Sequence, residues 1–102
     1  MREYELYVSL QYKDGTPIEG SKIAFIKKRF FDRFGGFIHY HQQIAGTWQI
    51  GNATFHKEMA VFRIIAGELE QPRDFFLRLK EELISEFKLE DVAIVERKVE
   101  IL

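Results

Sequence analysis

The apolar residues of this chain follow a period of two in four segments and a period near 3.6 in two. Successive strand side chains point to opposite faces, so alternation predicts strands, whereas the longer period indicates amphipathic helices. The alternating segments are residues 4–12, 37–49, 54–66 and 91–102, and the helical ones are residues 21–34 and 71–87. The order β-α-β-β-α-β strongly restricts the folds that the chain can adopt.

Residues with special backbone preferences stand between these segments. Ser21 is a candidate N-cap for the first helix, and Gly35-Gly36 predicts its end because glycine adopts the left-handed conformation without steric cost. Pro72 suits the first turn of the second helix, where its missing N–H is not needed. Gly51-Asn52 predicts a tight hairpin turn, and Gly46 within the preceding strand predicts a bulge.

The element order predicts a ferredoxin-like α+β sandwich, in which two helices cover one face of a four-stranded antiparallel sheet. The 102 residues suffice for one such domain, spanning residues 1–102. We call the face opposite the helices the open face. The residues predicted to face the helices are Leu6, Val8, Ile38, Tyr40, Phe62 and Ile64. The residues predicted on the open face are Tyr7, Ser9, Gln11, His39, His41, Gln43, Val61, Arg63 and Ile65.

The predicted open face mixes aromatic, aliphatic, amide, imidazole and guanidinium groups. A face exposed only to water would carry more Lys and Glu, so this composition indicates a contact surface. A second copy of the chain and a ligand cavity formed within such a dimer are both consistent with it. Trp48, just before the hairpin turn, is either a packing anchor of the hairpin or a wall on which a ligand stacks.

The three histidines raise the question of a metal site. His39 and His41 are two residues apart on a predicted strand, so both imidazoles point to one face, and His56 lies on the returning arm of the hairpin. Three imidazoles suit a divalent cation with an open position for water. Imidazoles that only line an interface are the alternative interpretation.

The first predicted helix is basic. Lys22, Arg29 and Arg33 fall near one angular position, which suits a phosphate or nucleic-acid contact. The alternative is a solvated face that pairs with the acidic residues of the second helix. The net charge of the whole chain is −1, and this balance argues against a dedicated nucleic-acid binder.

Several classes of protein are excluded by what the sequence lacks. The absence of cysteine excludes disulfides, thiolate metal ligands and a thiol nucleophile. No apolar run approaches the roughly 20 residues that span a bilayer. The first residues do not resemble a signal peptide, so we expect a cytoplasmic protein. No glycine-rich phosphate loop, nucleophile elbow or other standard catalytic motif is present, and the sequence leaves any cofactor unknown.

Three short motifs resemble those of a group of small, uncharacterised bacterial proteins with ferredoxin-like folds. The motifs are Arg33-Phe34-Gly35-Gly36, Gly46-Thr47-Trp48 and Gly51-Asn52. The resemblance extends over nearly the whole chain and implies a stand-alone ferredoxin-like domain without implying an activity. The architecture also resembles, more distantly, the dimeric α+β barrel group, which includes small monooxygenases and ligand-binding proteins.

These observations lead to three functional hypotheses. The first is a non-enzymatic homodimeric domain that binds a protein or a small molecule through its open face. The second is a dimeric barrel-type enzyme, monooxygenase-like, with a cavity lined by histidines together with Trp48 and Arg63. The third is nucleic-acid binding through the basic first helix.

Overall fold

The structure, a computed structural model, describes residues 1–67 and 70–102. The strands are β1 (Arg2–Ser9), β2 (Ile38–Ile50), β3 (Ala53–Ala66) and β4 (Val92–Lys98), and the helices are α1 (Gly20–Phe34) and α2 (Pro72–Ser85). The four strands form one antiparallel sheet in the order β2-β3-β1-β4. Both helices pack on the same side of it, so the predicted ferredoxin-like βαββαβ fold is confirmed.

The helix boundaries follow most of the predicted signals. Gly35 adopts the left-handed conformation at φ 75°, and its N–H donates to the carbonyl of Phe31, which ends α1. Pro72 occupies the first turn of α2 as predicted. The N-cap prediction is wrong, because Ser21 lies inside α1 and the capping position is Glu19, which makes no side-chain cap bond. Within the described ranges, neither helix is long and apolar enough to cross a bilayer.

The core between the helices and the sheet is rich in aromatic rings. The ring of Phe30 on α1 lies 5.4 Å from that of Phe62 on β3 and 5.3 Å from that of Phe76 on α2, measured between centroids. All three side chains are fully buried. Because these residues come from three elements, their packing fixes both helices against the sheet.

The orientation of β2 differs from the prediction. Ile38 and Tyr40 point to the open face, and His39 points to the helix side, where its imidazole stacks on Phe62 at 4.6 Å. Phe37 determines this orientation, because its ring packs 5.5 Å from Phe30 in the helix-side core. The alternation around residue 38 is ambiguous, since apolar residues occupy both sides, and a shift of one residue turns every side chain over.

The β2–β3 hairpin bends back across the sheet. The pairing register shifts between Gln43 and Thr47, Gly46 has a φ of 85°, and Lys57 on the facing strand has a φ of 61°. The predicted bulge at Gly46 is therefore present. The N–H of Thr54 donates to a carboxylate oxygen of Asp91 over 3.1 Å, although Asp91 adjoins β4, two strands away from β3. The far end of the hairpin thus lies over the end of β1 on the open face.

Candidate ligand-binding site

A second apolar cluster lies between the bent hairpin and the open face. The ring of Tyr7 on β1 meets the rings of Trp48 and Phe55 edge-on, at 6.0 and 6.5 Å. Phe55 and Val61 are completely buried although no helix covers this side of the sheet. The buried members of the cluster are Tyr7, Ala53, Phe55, Met59, Val61 and Ala93. The chain therefore covers part of its own open face.

A cleft of about 490 Å³ opens beside this cluster, where the hairpin leaves the sheet. Its side chains come from the centre of β1, the bulged region of β2 and the facing part of β3. The lining residues are Tyr7, Tyr40, Gln42, Gln43, Ile44, Ala45, Thr47, Trp48, Met59 and Val61. Trp48 is 45% exposed, so part of its ring remains accessible from solvent.

The cleft combines groups that recognise flat molecules with polar edges. Tyr7, Tyr40 and Trp48 provide aromatic surfaces, and Met59 provides a polarizable thioether. The amides of Gln42 and Gln43 and the hydroxyl of Thr47 provide hydrogen-bond donors and acceptors at the rim. A volume of this size and an apolar wall with a few polar groups are typical of small-molecule sites.

A charged network centred on one buried carboxylate lies next to the cleft. The carboxylate of Glu5 is on the open face and only 5% exposed. It accepts hydrogen bonds from the hydroxyl of Tyr7, at 2.8 Å, and from Arg97, and Arg63 lies 3.5 Å from it. Arg97 also pairs with Glu3 at 2.9 Å. Two arginines thus balance two carboxylates.

The network fixes the protonation states of its members. Burial raises the pKa of Glu5, but the hydrogen bonds from Arg97 and Tyr7 and the arginine charges outweigh it, so the pKa lies below its usual value. Burial, with the hydrogen bond to Glu5, raises the pKa of Tyr7 to about 12. Tyr7 therefore remains a donor at neutral pH. The hydroxyl of Tyr40 accepts a bond from Arg63 at 3.3 Å, so both cleft tyrosines are held by the network.

The structure separates the residues predicted for the open face. Tyr7 and Arg63 lie there, in the network described above, and Trp48 and Gln43 line the cleft. Ser9 is buried, and its hydroxyl donates to the carbonyl of Gln11 at 2.7 Å. Ser9 and Gln11 line a different cleft, of about 450 Å³, which also contains His56.

The histidine predictions are wrong in two respects. His39 and His41 lie on the helix side of the sheet, because they pair with Phe62 and Ala60 of the helix-side core. They therefore do not line a cavity on the open face, as the enzyme hypothesis required. Burial, with the charges of Lys27 and His41, lowers the pKa of His39.

The predicted metal site does not form either. Nδ1 of His41 lies 3.2 Å from the carboxylate of Glu58, and Nδ1 of His56 lies 3.2 Å from the hydroxyl of Thr47. In the part of the chain that the structure describes, no three His, Asp or Glu side chains converge on a point where a metal ion could bind. The register shift between Gln43 and Thr47 separates His56, which pairs with Thr47, from the other two imidazoles.

The three basic residues predicted to form a phosphate-binding face on α1 make internal contacts. Arg29 binds both carboxylate oxygens of Glu82 on α2 at 2.8 Å, as the alternative interpretation predicted. Lys22 donates to the hydroxyl of Tyr12 and to the carbonyl of Phe87, both at 2.6 Å. Arg33 donates to the carbonyl of Glu70. These contacts weaken the nucleic-acid hypothesis, because a phosphate would have to compete with them.

Sequence reasoning missed Glu5, Tyr40 and Arg97 as members of the site. Glu5 could have been identified from the sequence, since it lies on the predicted open side of β1 together with Tyr7. An acidic side chain among buried positions needs a hydrogen-bond or charge partner. Tyr40 was assigned to the wrong face. Arg97 had no signal of its own, because only the pairing of β1 with β4 brings it opposite Glu3.

No protein-family model matches the sequence, and no curated protein matches it. Among solved structures, the fold is similar to that of a phage SAM lyase in complex with S-methyl-5′-thioadenosine. The TM-score is 0.65 and the sequence identity is 16%, and the similarity covers 95% of this chain and 80% of the lyase chain. At this identity the similarity shows the fold alone. Membership of the small bacterial family with the Phe-Gly-Gly motif stays a prediction.

Proposed function

We propose that this protein binds a small, planar, heteroaromatic molecule in the cleft under the bent hairpin. The observation that carries the proposal is the meeting of Tyr7, Tyr40 and Trp48 around one accessible cavity. The two tyrosines are held by the charged network around Glu5, so their rings are oriented before a ligand arrives. Binding then loses little side-chain entropy, which favours affinity.

We take a nucleoside as the ligand class. A nucleoside has a flat base, which suits the aromatic walls, and a polar sugar, which suits the amide and hydroxyl groups at the rim. The phage lyase with the same fold was solved in complex with a nucleoside, S-methyl-5′-thioadenosine, and this supports its choice as the first probe.

An enzyme acting on such a ligand is the second candidate. Tyr7 lines the cleft and donates to the buried carboxylate of Glu5, so a titratable pair adjoins the cavity. The two candidates differ in the fate of the probe. Chromatography of the probe after long incubation with the protein recovers it unchanged if the chain only binds, and converted if the chain is an enzyme.

The binding test uses the single tryptophan of the chain, which lies in the cleft. Titration with S-methyl-5′-thioadenosine and with adenosine should change the fluorescence of Trp48 in a saturable way and raise the Tm. Tyr40→Ala should weaken binding about tenfold, because it removes one aromatic wall. Leu77→Ala, on the exposed side of α2, is the matched control and should leave the affinity unchanged.

Two results would overturn the proposal. One is the absence of any saturable change in fluorescence or Tm with either nucleoside. The other is an equal loss of affinity in Tyr40→Ala and Leu77→Ala, since a general effect on the fold would then explain both.

A further inference from the structure

The two edges of the sheet differ in how they are protected against another strand. Edge strands usually carry charged residues or proline, or are short, because their free backbone groups otherwise pair with other chains. The edge strand β4 has seven residues and ends in Glu96-Arg97-Lys98. The edge strand β2 has 13 residues and contains no Lys, Arg, Asp, Glu or Pro. An edge of this kind is suited to pairing rather than to solvent.

The first part of β2 is also accessible. Ile38 is 55% exposed, and residues 41–43 are exposed. Alternate residues of an edge strand direct their N–H and C=O groups away from the sheet. Among the described residues, no backbone hydrogen bond outside the helices and strands ends on β2. The outward backbone groups between residues 38 and 42 are therefore available to a second strand. The carbonyl of Gln43 accepts a hydrogen bond from the side-chain amide of Gln42 at 3.1 Å, which a second strand at that position would have to displace.

We propose that two copies of this chain pair antiparallel along residues 37–43, with the two-fold axis passing through Tyr40. A two-fold axis perpendicular to the sheet keeps the helices of both copies on the same side of the joined sheet. Residues that lie opposite each other in the two β2 strands must therefore point to the same face. Centring the pair on Tyr40 uses every residue between Phe37 and Gln43, the last position before the register shift. Centring it on His41 would run into that irregular region.

This register brings together side chains that suit one another. Tyr40 lies opposite Tyr40 of the partner subunit, and cross-strand aromatic pairs stabilise antiparallel sheets. Ile38 lies opposite Gln42 of the partner subunit, which covers an exposed aliphatic side chain. The imidazoles of His39 and His41 meet on the helix side. The self-complementarity of this uncharged segment is the reason for choosing a second copy as its occupant.

The pairing would also complete the cleft. Gln42 and Tyr40 form its outer wall on β2, the edge that solvent reaches. In the pair, Ile38 and Tyr40 of the partner subunit stand next to that wall. This consequence rests on the proposed ligand site, whereas the pairing itself does not. The arrangement differs from the dimer predicted from sequence, in which the open faces would meet.

Sedimentation equilibrium tests the pairing by mass. The wild-type protein should have about twice the 12.1 kDa mass of the chain. Ile38→Lys combined with Gln42→Lys places lysines directly opposite each other on both sides of the axis and should weaken self-association about tenfold. Ile38→Glu combined with Gln42→Lys places opposite charges there and should restore it. Far-UV circular dichroism checks that each variant is folded.

Ile65→Lys is the matched control, because Ile65 is 48% exposed on the open face but belongs to β3. It should leave the mass of the dimer unchanged. A wild type with the mass of a monomer would overturn edge pairing, and so would equal masses for the two double variants. Loss of the dimer in Ile65→Lys alone would instead favour a dimer in which the two open faces are in contact. The mass is measured without ligand, so it tests the dimer even if the protein does not bind nucleosides. The fluorescence titration likewise tests nucleoside binding even if the protein does not dimerise.

Discussion

Each face of the sheet carries a buried apolar cluster, but different elements of the chain cover the two clusters. On the helix side, α1 and α2 and the central strands each contribute buried aromatic or aliphatic residues to one continuous core. On the open face, most of the cover comes from one hairpin, whose far end folds over β1. The first core depends on contacts between many elements, and the second depends on the bend of a single supersecondary unit.

This difference indicates where the molecule is rigid and where it can accommodate a ligand. The hairpin cover is held by the Thr54–Asp91 hydrogen bond and by ring contacts with Tyr7, at the end of a long arm. Regions with fewer anchoring contacts open at lower free-energy cost than the central core. The candidate cleft lies where this arm leaves the sheet, which is a suitable place for binding a ligand without disturbing the fold.

The largest expected loss of stability comes from removing one aromatic ring from the core on either face of the sheet. Phe30→Ala should cost about 4–5 kcal/mol and Phe55→Ala about 3 kcal/mol, because the hairpin relaxes into its cavity more readily than the helix-side core does. Urea unfolding followed by circular dichroism and by Trp48 fluorescence measures both. For Phe30→Ala the two signals should change together. For Phe55→Ala the fluorescence should change first, and coincident transitions would contradict the separate behaviour of the hairpin.

Four of the six residues predicted to face the helices, Leu6, Val8, Phe62 and Ile64, do so in the structure, because β1 and β3 carry clear periods there. The alternation of β1 points in one direction, and Leu6 and Val8, which it assigns to the helix side, are fully buried there. The hairpin was less predictable. Apolar residues occupy both sides of β2 near Ile38, so its orientation depends on a tertiary contact, that of Phe37 with Phe30.

The candidate site was only partly predictable for the same reason. Gly46 predicted a bulge, but the left-handed Lys57 on the facing strand carries no signal that would fix the direction or extent of the bend. The burial of Phe55 under that bend, and the placement of Trp48 beside Tyr7, follow from it. The network around Glu5 needs three strands to be paired in register, which no local pattern encodes.

A smaller effect should distinguish the charged network from ordinary surface ion pairs. Glu5→Gln should cost about 1–3 kcal/mol at neutral pH, because Arg97 and Tyr7 lose a buried charged partner. The folded-state pKa of Glu5 is lowered, so its carboxylate contributes stability above the unfolded-state pKa and loses it as the pH falls through the folded-state pKa. The stability difference between wild type and Glu5→Gln should therefore shrink in acid.

Glu3→Gln is the control for this measurement. Glu3 pairs with the same Arg97, but its own side chain is 19% exposed against 6% for Glu5, so solvent screens its ion pair more and the expected cost is about 0.5 kcal/mol. Denaturant unfolding of both variants at several pH values gives the comparison. A cost for Glu3→Gln as large as that for Glu5→Gln would show that burial of Glu5 adds nothing.

The smallest effects concern the bend itself. Gly46 has a φ of 85° and open space around its α-carbon, so Gly46→Ala should cost only the backbone strain, about 1 kcal/mol. Lys57 has a φ of 61°, and Lys57→Gly should relieve strain and stabilise the protein by about 0.5 kcal/mol after the entropic cost of glycine. Gly36→Ala, at a glycine that also has free space but no positive φ, should cost nothing.

The urea midpoints of unfolding measure the stability of all three variants. If Gly46→Ala lowers the free energy of unfolding and Lys57→Gly raises it, the left-handed backbone of these two residues sets the bend. Equal losses of stability in Gly46→Ala, Lys57→Gly and Gly36→Ala would show that side-chain packing of the hairpin sets it instead.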